Sequence, residues 1–160
     1  MIVGSLELAM LYKTYRVYFQ ESIDELREKY KFSNARKGQP QSWYSFASGY
    51  AGITYGMSFA LGNRARVDLY IDQGNAEKNK SLFDSIYEDR EFIESKFGEK
   101  LEWERLDEKQ ASRIAIYREG SIEDDQEKLK QIREWSIQKL LKFKEVFNPN
   151  MKKYIKKQNK

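Results

Sequence analysis

The stretch ITYGMSFALG, beginning at Ile53, alternates without a break. Ile53, Tyr55, Met57, Phe59 and Leu61 fall on one side of a strand, and Thr54, Gly56, Ser58 and Ala60 on the other, because successive side chains of an extended backbone point to opposite faces. One face is therefore large and apolar, and the other small. GNR (Gly62–Arg64) is a tight turn, and RVDLYID follows with Val67, Leu69 and Ile71 again on one face. So short a connection joins only antiparallel strands. The large face reads as core; the small face would let a helix or another backbone approach closely.

The neighbouring segments extend this hairpin. WYSFASGY alternates ahead of it, and LEWERL and SRIAIYRE alternate after it, with Ile114 and Ile116 on one face and Arg113 and Tyr117 on the other. Apolar residues at three- and four-residue spacing mark an amphipathic helix from Leu8 to Tyr30, with a capping-box pattern at Ser22–Glu25 where it could break. Leu82, Phe83, Ile86, Ile93 and Phe97 mark a second helix, stopped at Gly98. Leu129 to Phe147 mark a third, ended by Asn148–Pro149. The expectation is a single α+β domain over residues 1–150, with an antiparallel sheet of about five strands and three helices in the order α-β-β-β-α-β-β-α. Residues 151–160 form a Lys-rich C-terminal tail.

Composition excludes several chemistries. The 160 residues include no cysteine and no histidine, which removes thiol nucleophiles, thiolate metal sites and the commonest general base. No cofactor and no resident metal are expected. The opening MIVGSLELAM lacks a basic n-region and a long apolar run, so no signal peptide is expected. No segment approaches the ~20 apolar residues of a membrane span. A cytoplasmic protein with no membrane partner follows as the expectation. The net charge is +4, yet the tail alone carries five lysines (Lys152, Lys153, Lys156, Lys157 and Lys160) and no acid, so the remainder is close to neutral.

RVDLYIDQGNAEKNKSLFD, Arg66 to Asp84, reads as strand, turn and helix, an arrangement that can bind phosphate. Asn75 suits an N-cap and Gly74 the turn, whereas Asp72 and Glu77 would repel an anion and no Walker or GxGxxG pattern is present. Folding accounts for the stretch. Metal-dependent nucleases use strand carboxylates with a (D/E)-x-K triplet. Glu94–Lys96 lies on a helix, but Asp107–Lys109 follows a strand and could act with Asp68 or Asp72. Trp43, Trp103 and Trp135 could each stack bases or anchor a partner. Trp135 reads as core on its amphipathic helix, whereas Trp103 in EWER is more open and shares its strand face with Arg105. The sheet face opposite the core carries Arg66, Asp68, Tyr70, Asp72, Arg113 and Tyr117. Arginine and tyrosine together are typical of recognition surfaces, although cross-strand ion pairs on a solvated face would look the same.

The segments QSWYSFASGYAGI, RVDLYIDQGNAEKNKSLFDSI, IESKFGEKLEWERLDEKQASRIAI and FKEVFNP together resemble the domain of unknown function 4268 family, over nearly the whole chain. Members look like single-domain proteins or C-terminal partners of restriction-endonuclease-like PD-(D/E)XK segments. The resemblance implies a context of nucleic-acid processing or defence against foreign DNA, and it brings no catalytic residues. The expectation is an accessory recognition module that binds nucleic acid or a nuclease-type partner and is not an enzyme. Its binding residues would be Arg66, Tyr70, Trp103, Arg105, Arg113 and Tyr117, with Lys152, Lys153, Lys156 and Lys157 of the tail. The alternatives are a divergent metal-dependent nuclease using Asp68 or Asp72 with Asp107 and Lys109, and a self-associating structural domain in which exposed aromatics form a homodimer.

Overall fold

A computed structural model describes residues 4–158; Lys160 of the tail lies outside them. The elements run α1 (Ser5–Glu28), β1 (Trp43–Ala47), β2 (Ile53–Ala60), β3 (Arg64–Ile71), α2 (Ala76–Tyr87), α3 (Arg90–Phe97), β4 (Glu102–Glu104), β5 (Ser112–Glu119) and α4 (Gln126–Gln158). The strands form one five-stranded sheet in the order β1-β2-β3-β5-β4, and every neighbouring pair is antiparallel. The alternation sets the register: Tyr55 lies beside Leu69 and Leu69 beside Ile114, so the large residues of three strands fall on one face. That face is buried under the helices, with α4 crossing β2 and β3.

The α+β class and the antiparallel sheet are as expected, but there are four helices rather than three. The expected second helix divides at Glu88–Asp89 into α2 and α3. Asp89 leaves the helical path with its amide donating to the Ile86 carbonyl. Its carboxylate turns toward α4, where Tyr154 Oη donates to it at 2.9 Å and Lys153 Nζ lies at 3.3 Å. These contacts hold the Asp89 carboxyl below its usual range, the tyrosine hydrogen bond contributing most.

Two expected helix boundaries are also revised. α1 passes straight through Ser22, whose buried hydroxyl donates back to the Tyr18 carbonyl at 3.0 Å instead of capping a new helix. α4 continues through Pro149 to Gln158. A proline inside a helix costs one backbone hydrogen bond and ~3 kcal/mol. Here the following turns bury Met151 and Tyr154 completely, which offsets that cost. Asn148 also ties this turn to the sheet, accepting from Tyr55 Oη and donating to the Ser48 carbonyl. The Lys-rich segment through Gln158 is therefore the last two turns of a docked helix.

Candidate functional site: the open face of the sheet

With the helices on one face, the small-residue face of the sheet is left open. Its side chains fall into cross-strand rows fixed by the register. One row is Trp43, Ser58, Arg66 and Tyr117; the next is Ser45, Gly56, Asp68, Ala115 and Glu102; a third is Ala47, Thr54, Tyr70, Arg113 and Glu104. The middle row is short in β1, β2 and β5, so a trough crosses that part of the sheet between taller walls. The trough opens into a hollow of about 320 Å³ bounded by Trp43, Gly56, Arg66, Asp68, Tyr70 and Arg113. A broader hollow of about 1050 Å³ adjoins it, reaching Arg64, Glu104, Lys109 and Tyr117 and sharing Arg66 and Arg113.

Asp68 forms the floor. It is only 7% exposed although no helix covers it, and burial pushes its carboxyl up to about 6 against the partial pull of Arg66 and Arg113. Its nearest cation is Arg66 Nε at 3.5 Å. That nitrogen is itself buried without a hydrogen-bond acceptor. The Gly56 backbone lies so close beneath the carboxylate that a Cβ at position 56 would meet Asp68 Oδ1 at 2.6 Å. Glycine in the middle of β2 is thus explained by the acid beside it rather than by a covering helix or backbone.

Arg113 and Tyr117 are held differently. Glu104 on β4 accepts from Arg113 Nε at 2.9 Å and Nη2 at 2.6 Å, and from Tyr117 Oη at 2.6 Å. The guanidinium of Arg64 stacks 4.0 Å from the Tyr117 ring centre. Arg113 is fixed in a paired network, whereas Arg66 is engaged only loosely. Trp43 and Tyr70, on opposite sides of the trough, are 51% and 37% exposed and present their rings to solvent.

Arg66, Tyr70, Arg113 and Tyr117 are therefore brought together as the alternation implied. Trp103 and Arg105 are not part of this face. Trp103 sits beside Ile114 on the covered face, packs against Phe83 and Tyr87, and donates from Nε1 to Glu94 at 3.2 Å. Arg105 grips both carboxylate oxygens of Asp84 on α2 and pairs with Asp107. Lys153 and Lys157 pair with Asp89 and Glu88 on the helical side, and Lys152 and Lys156 are exposed along α4. The tail lysines and the arginine-tyrosine rows thus belong to separate regions.

Of the carboxylates in the nuclease alternative, Asp72 and Asp107 have firm structural partners, whereas Asp68 is only loosely paired, with Arg66 at 3.5 Å. Asp72 accepts from Gly74 N, Gln110 Nε2 and Asn79 Nδ2, and Asp107 is held by Arg105. Among the described residues no three or more histidine, cysteine, aspartate or glutamate side chains gather as a metal-binding group. The turn after β3 is likewise committed to folding. Asn75 caps α2 by accepting from Lys78 N at 3.0 Å. The buried Asn79 donates to the Gln110 carbonyl. Lys80 Nζ donates to the carbonyls of Arg105, Leu106 and Ala111 and to Ser112 Oγ. Leu106 has φ 57°, a left-handed backbone that branched side chains disfavour, and Lys80 helps to hold the loop in that form.

Sequence reasoning named Trp43 as a residue that could stack bases without placing it on the open face, and it passed over Glu104 as a member of that face. It also placed Asp68 there only as a surface charge or metal ligand. The signal was present in the small residues Thr54, Gly56 and Ser58, which left room for a trough rather than for a backbone.

The fold and site define an α+β domain with a one-sided antiparallel sheet and a polar, aromatic-edged open face. The sequence profile described as Domain of unknown function (DUF4268) matches residues 11–151, and the chain belongs to that family. No curated protein and no solved structure matches it. Among the described residues no helix is long and apolar enough to cross a membrane.

Proposed function

We propose that this domain is an accessory recognition module whose open sheet face binds single-stranded nucleic acid, in the setting of DNA processing or defence that the family resemblance implies. The observation that carries this reading is the grouping of aromatic and arginine side chains in the two rows flanking the trough, Trp43, Arg66 and Tyr117 in one and Tyr70 and Arg113 in the other. Flat antiparallel sheets with exposed rings let unstacked bases lie on aromatic faces, while guanidinium groups meet phosphates. A duplex hides its base faces, so single strands fit this surface better.

The test is fluorescence anisotropy with a labelled 20-mer single strand and the matching duplex. Arg66→Ala and Trp43→Ala should each weaken single-strand binding by roughly 5- to 100-fold, the range for losing a stacked base or a phosphate contact. Loss of binding in Lys152→Ala/Lys156→Ala, with Arg66→Ala unchanged, would move the site to α4. Failure of any strand to bind would overturn the reading.

A second reading, self-association, has one observation in its favour. The first turns of α1 expose Leu6, Met10, Tyr12 and Val17. A mass that rises with concentration and returns to that of a monomer in Leu6→Ser/Met10→Ser would support it.

A further inference from the structure

The hollow above Asp68 has features that a general strand-binding surface does not need. A non-specific platform requires rings and cations, yet this one places a nearly buried carboxylate at its floor, next to an arginine nitrogen that lacks an acceptor. We propose that the hollow is a base-selective pocket that takes the Watson–Crick edge of guanine from a single strand. This inference rests on the single-strand reading above and deepens it.

The argument is one of complementarity. A carboxylate accepts hydrogen bonds only, and a guanidinium donates only. The matching ligand edge must therefore carry donors beside an acceptor. Guanine offers two adjacent donors, N1–H and the N2 amino group, beside the O6 acceptor. Asp68 would take the two donors in a bidentate pair, and the terminal N–H groups of Arg66 would reach O6. Thymine and uracil present one donor between two carbonyl oxygens, and one of those would face the carboxylate. A lysine or arginine side chain would answer Asp68 but would meet Arg66 and Arg113, both of which line the same hollow. The size is also suitable: ligand pockets start near ~300 Å³, and this hollow holds about 320 Å³. Trp43 and Tyr70 border it with half-exposed rings that can stack on the base.

Within the fold the Asp68 carboxylate is met by the Gly56 backbone and only loosely by Arg66. Among the described residues no side chain completes a hydrogen bond to the Asp68 carboxylate, and Arg66 stands off at 3.5 Å. A buried charge without adequate partners weakens a fold, and donors from a ligand would relieve that weakness. Gly56 keeps the floor low enough for the carboxylate to sit there.

The experiment compares two labelled 12-mers by anisotropy at pH 7.5, one all thymidine and one with a single central dG. Wild-type protein should bind the guanine-containing strand at least about tenfold more tightly, as expected of a bidentate base contact. Asp68→Asn should melt no lower than wild type and lose most of that preference, because a single amide can neither take both guanine donors nor repel a thymine carbonyl. Trp43→Ala should weaken both strands. Equal binding of both strands by wild type, or a preference that survives Asp68→Asn, would overturn the guanine pocket. If both strands still bound and Arg66→Ala weakened both, the single-strand surface would stand without it. If neither strand bound, the surface itself would fall, and the pocket with it.

Discussion

The two faces of one sheet obey different rules. Tyr55, Met57, Val67, Leu69 and Ile114 are at most 1% exposed beneath the helices. Their neighbours one residue away, Gly56, Asp68, Arg66 and Arg113, line an uncovered trough. The covered face follows the rule that apolar area leaves water. The open face breaks it at one point, by burying an acid where no packing demands one. Local departures from the burial rule are expected at functional or strained sites.

The largest expected effect lies on the covered side. Tyr154→Ala should cost about 3–5 kcal/mol, as removal of a fully buried aromatic does. Lys152→Ala/Lys156→Ala, on exposed positions of the same turns, should stay within about 0.5 kcal/mol per residue. Urea denaturation separates the two cases. Similar losses would mean that the end of α4 is not docked. Removing residues 151–160 therefore tests the core and not the lysine charge, so charge substitutions are the correct probe of any electrostatic role.

A smaller effect should come from the trough floor. Gly56→Ala places a methyl group against Asp68 Oδ1 and should cost about 1–3 kcal/mol, the usual scale of overpacking. In an Asp68→Ala background the same change should be near neutral, because alanine is the better strand residue by ~0.5–1 kcal/mol. A double-mutant cycle with no coupling would dissolve the link between the glycine and the acid.

Lys80→Met sharpens the comparison from the connection between β4 and β5. It leaves three loop carbonyls without their shared donor. The expected cost is about 1–3 kcal/mol, with faster amide exchange in residues 105–111 and no change at the trough. Altered exchange on the open face would show that the loop supports it.

The smallest stability effect is expected on the open face itself. Trp43→Ala removes the largest side-chain type, yet Trp43 is half exposed, and stability should move by about 0.5 kcal/mol or less. A loss near that of Tyr154→Ala would mean that Trp43 holds the fold together.

Much of this contrast was legible in the sequence. Period-two alternation in ITYGMSFALG and RVDLYID fixes which residues share a face, and that placed Arg66, Tyr70, Arg113 and Tyr117 together. The same reasoning joined Trp103 and Arg105 to that surface, whereas Trp103 lies on the covered side beside Ile114; EWER is too short and too charged to show a core pattern. Helix ends were less legible. Asn148–Pro149 carries a stop signal, but the burial of Met151 and Tyr154 overrides it. Asp89 divides α2 from α3 through a contact with Tyr154, 65 residues away in sequence, which no local pattern records. The depth of Asp68 was hidden for the same reason, since it depends on neighbours from other strands.

The central claim is that Asp68 is kept at the expense of the fold, and the pH dependence of stability tests it most directly. Its carboxyl sits near 6 in the folded chain against 3.8 in the unfolded chain. The folded state thus holds the proton more tightly. The stabilisation is complete below the unfolded value and is lost as pH rises through the folded one. A shift of this size corresponds to about 3 kcal/mol. The difference in unfolding free energy between Asp68→Asn and wild type cancels the other carboxylates, including Asp72 and Asp89, whose values are lowered and whose effect has the opposite sign. That difference should move in favour of the variant by about 2 kcal/mol between pH 4 and pH 7.5 without ligand. A difference that stays flat with pH, or moves in favour of wild type, would show that the acid is satisfied within the fold and contradict the account.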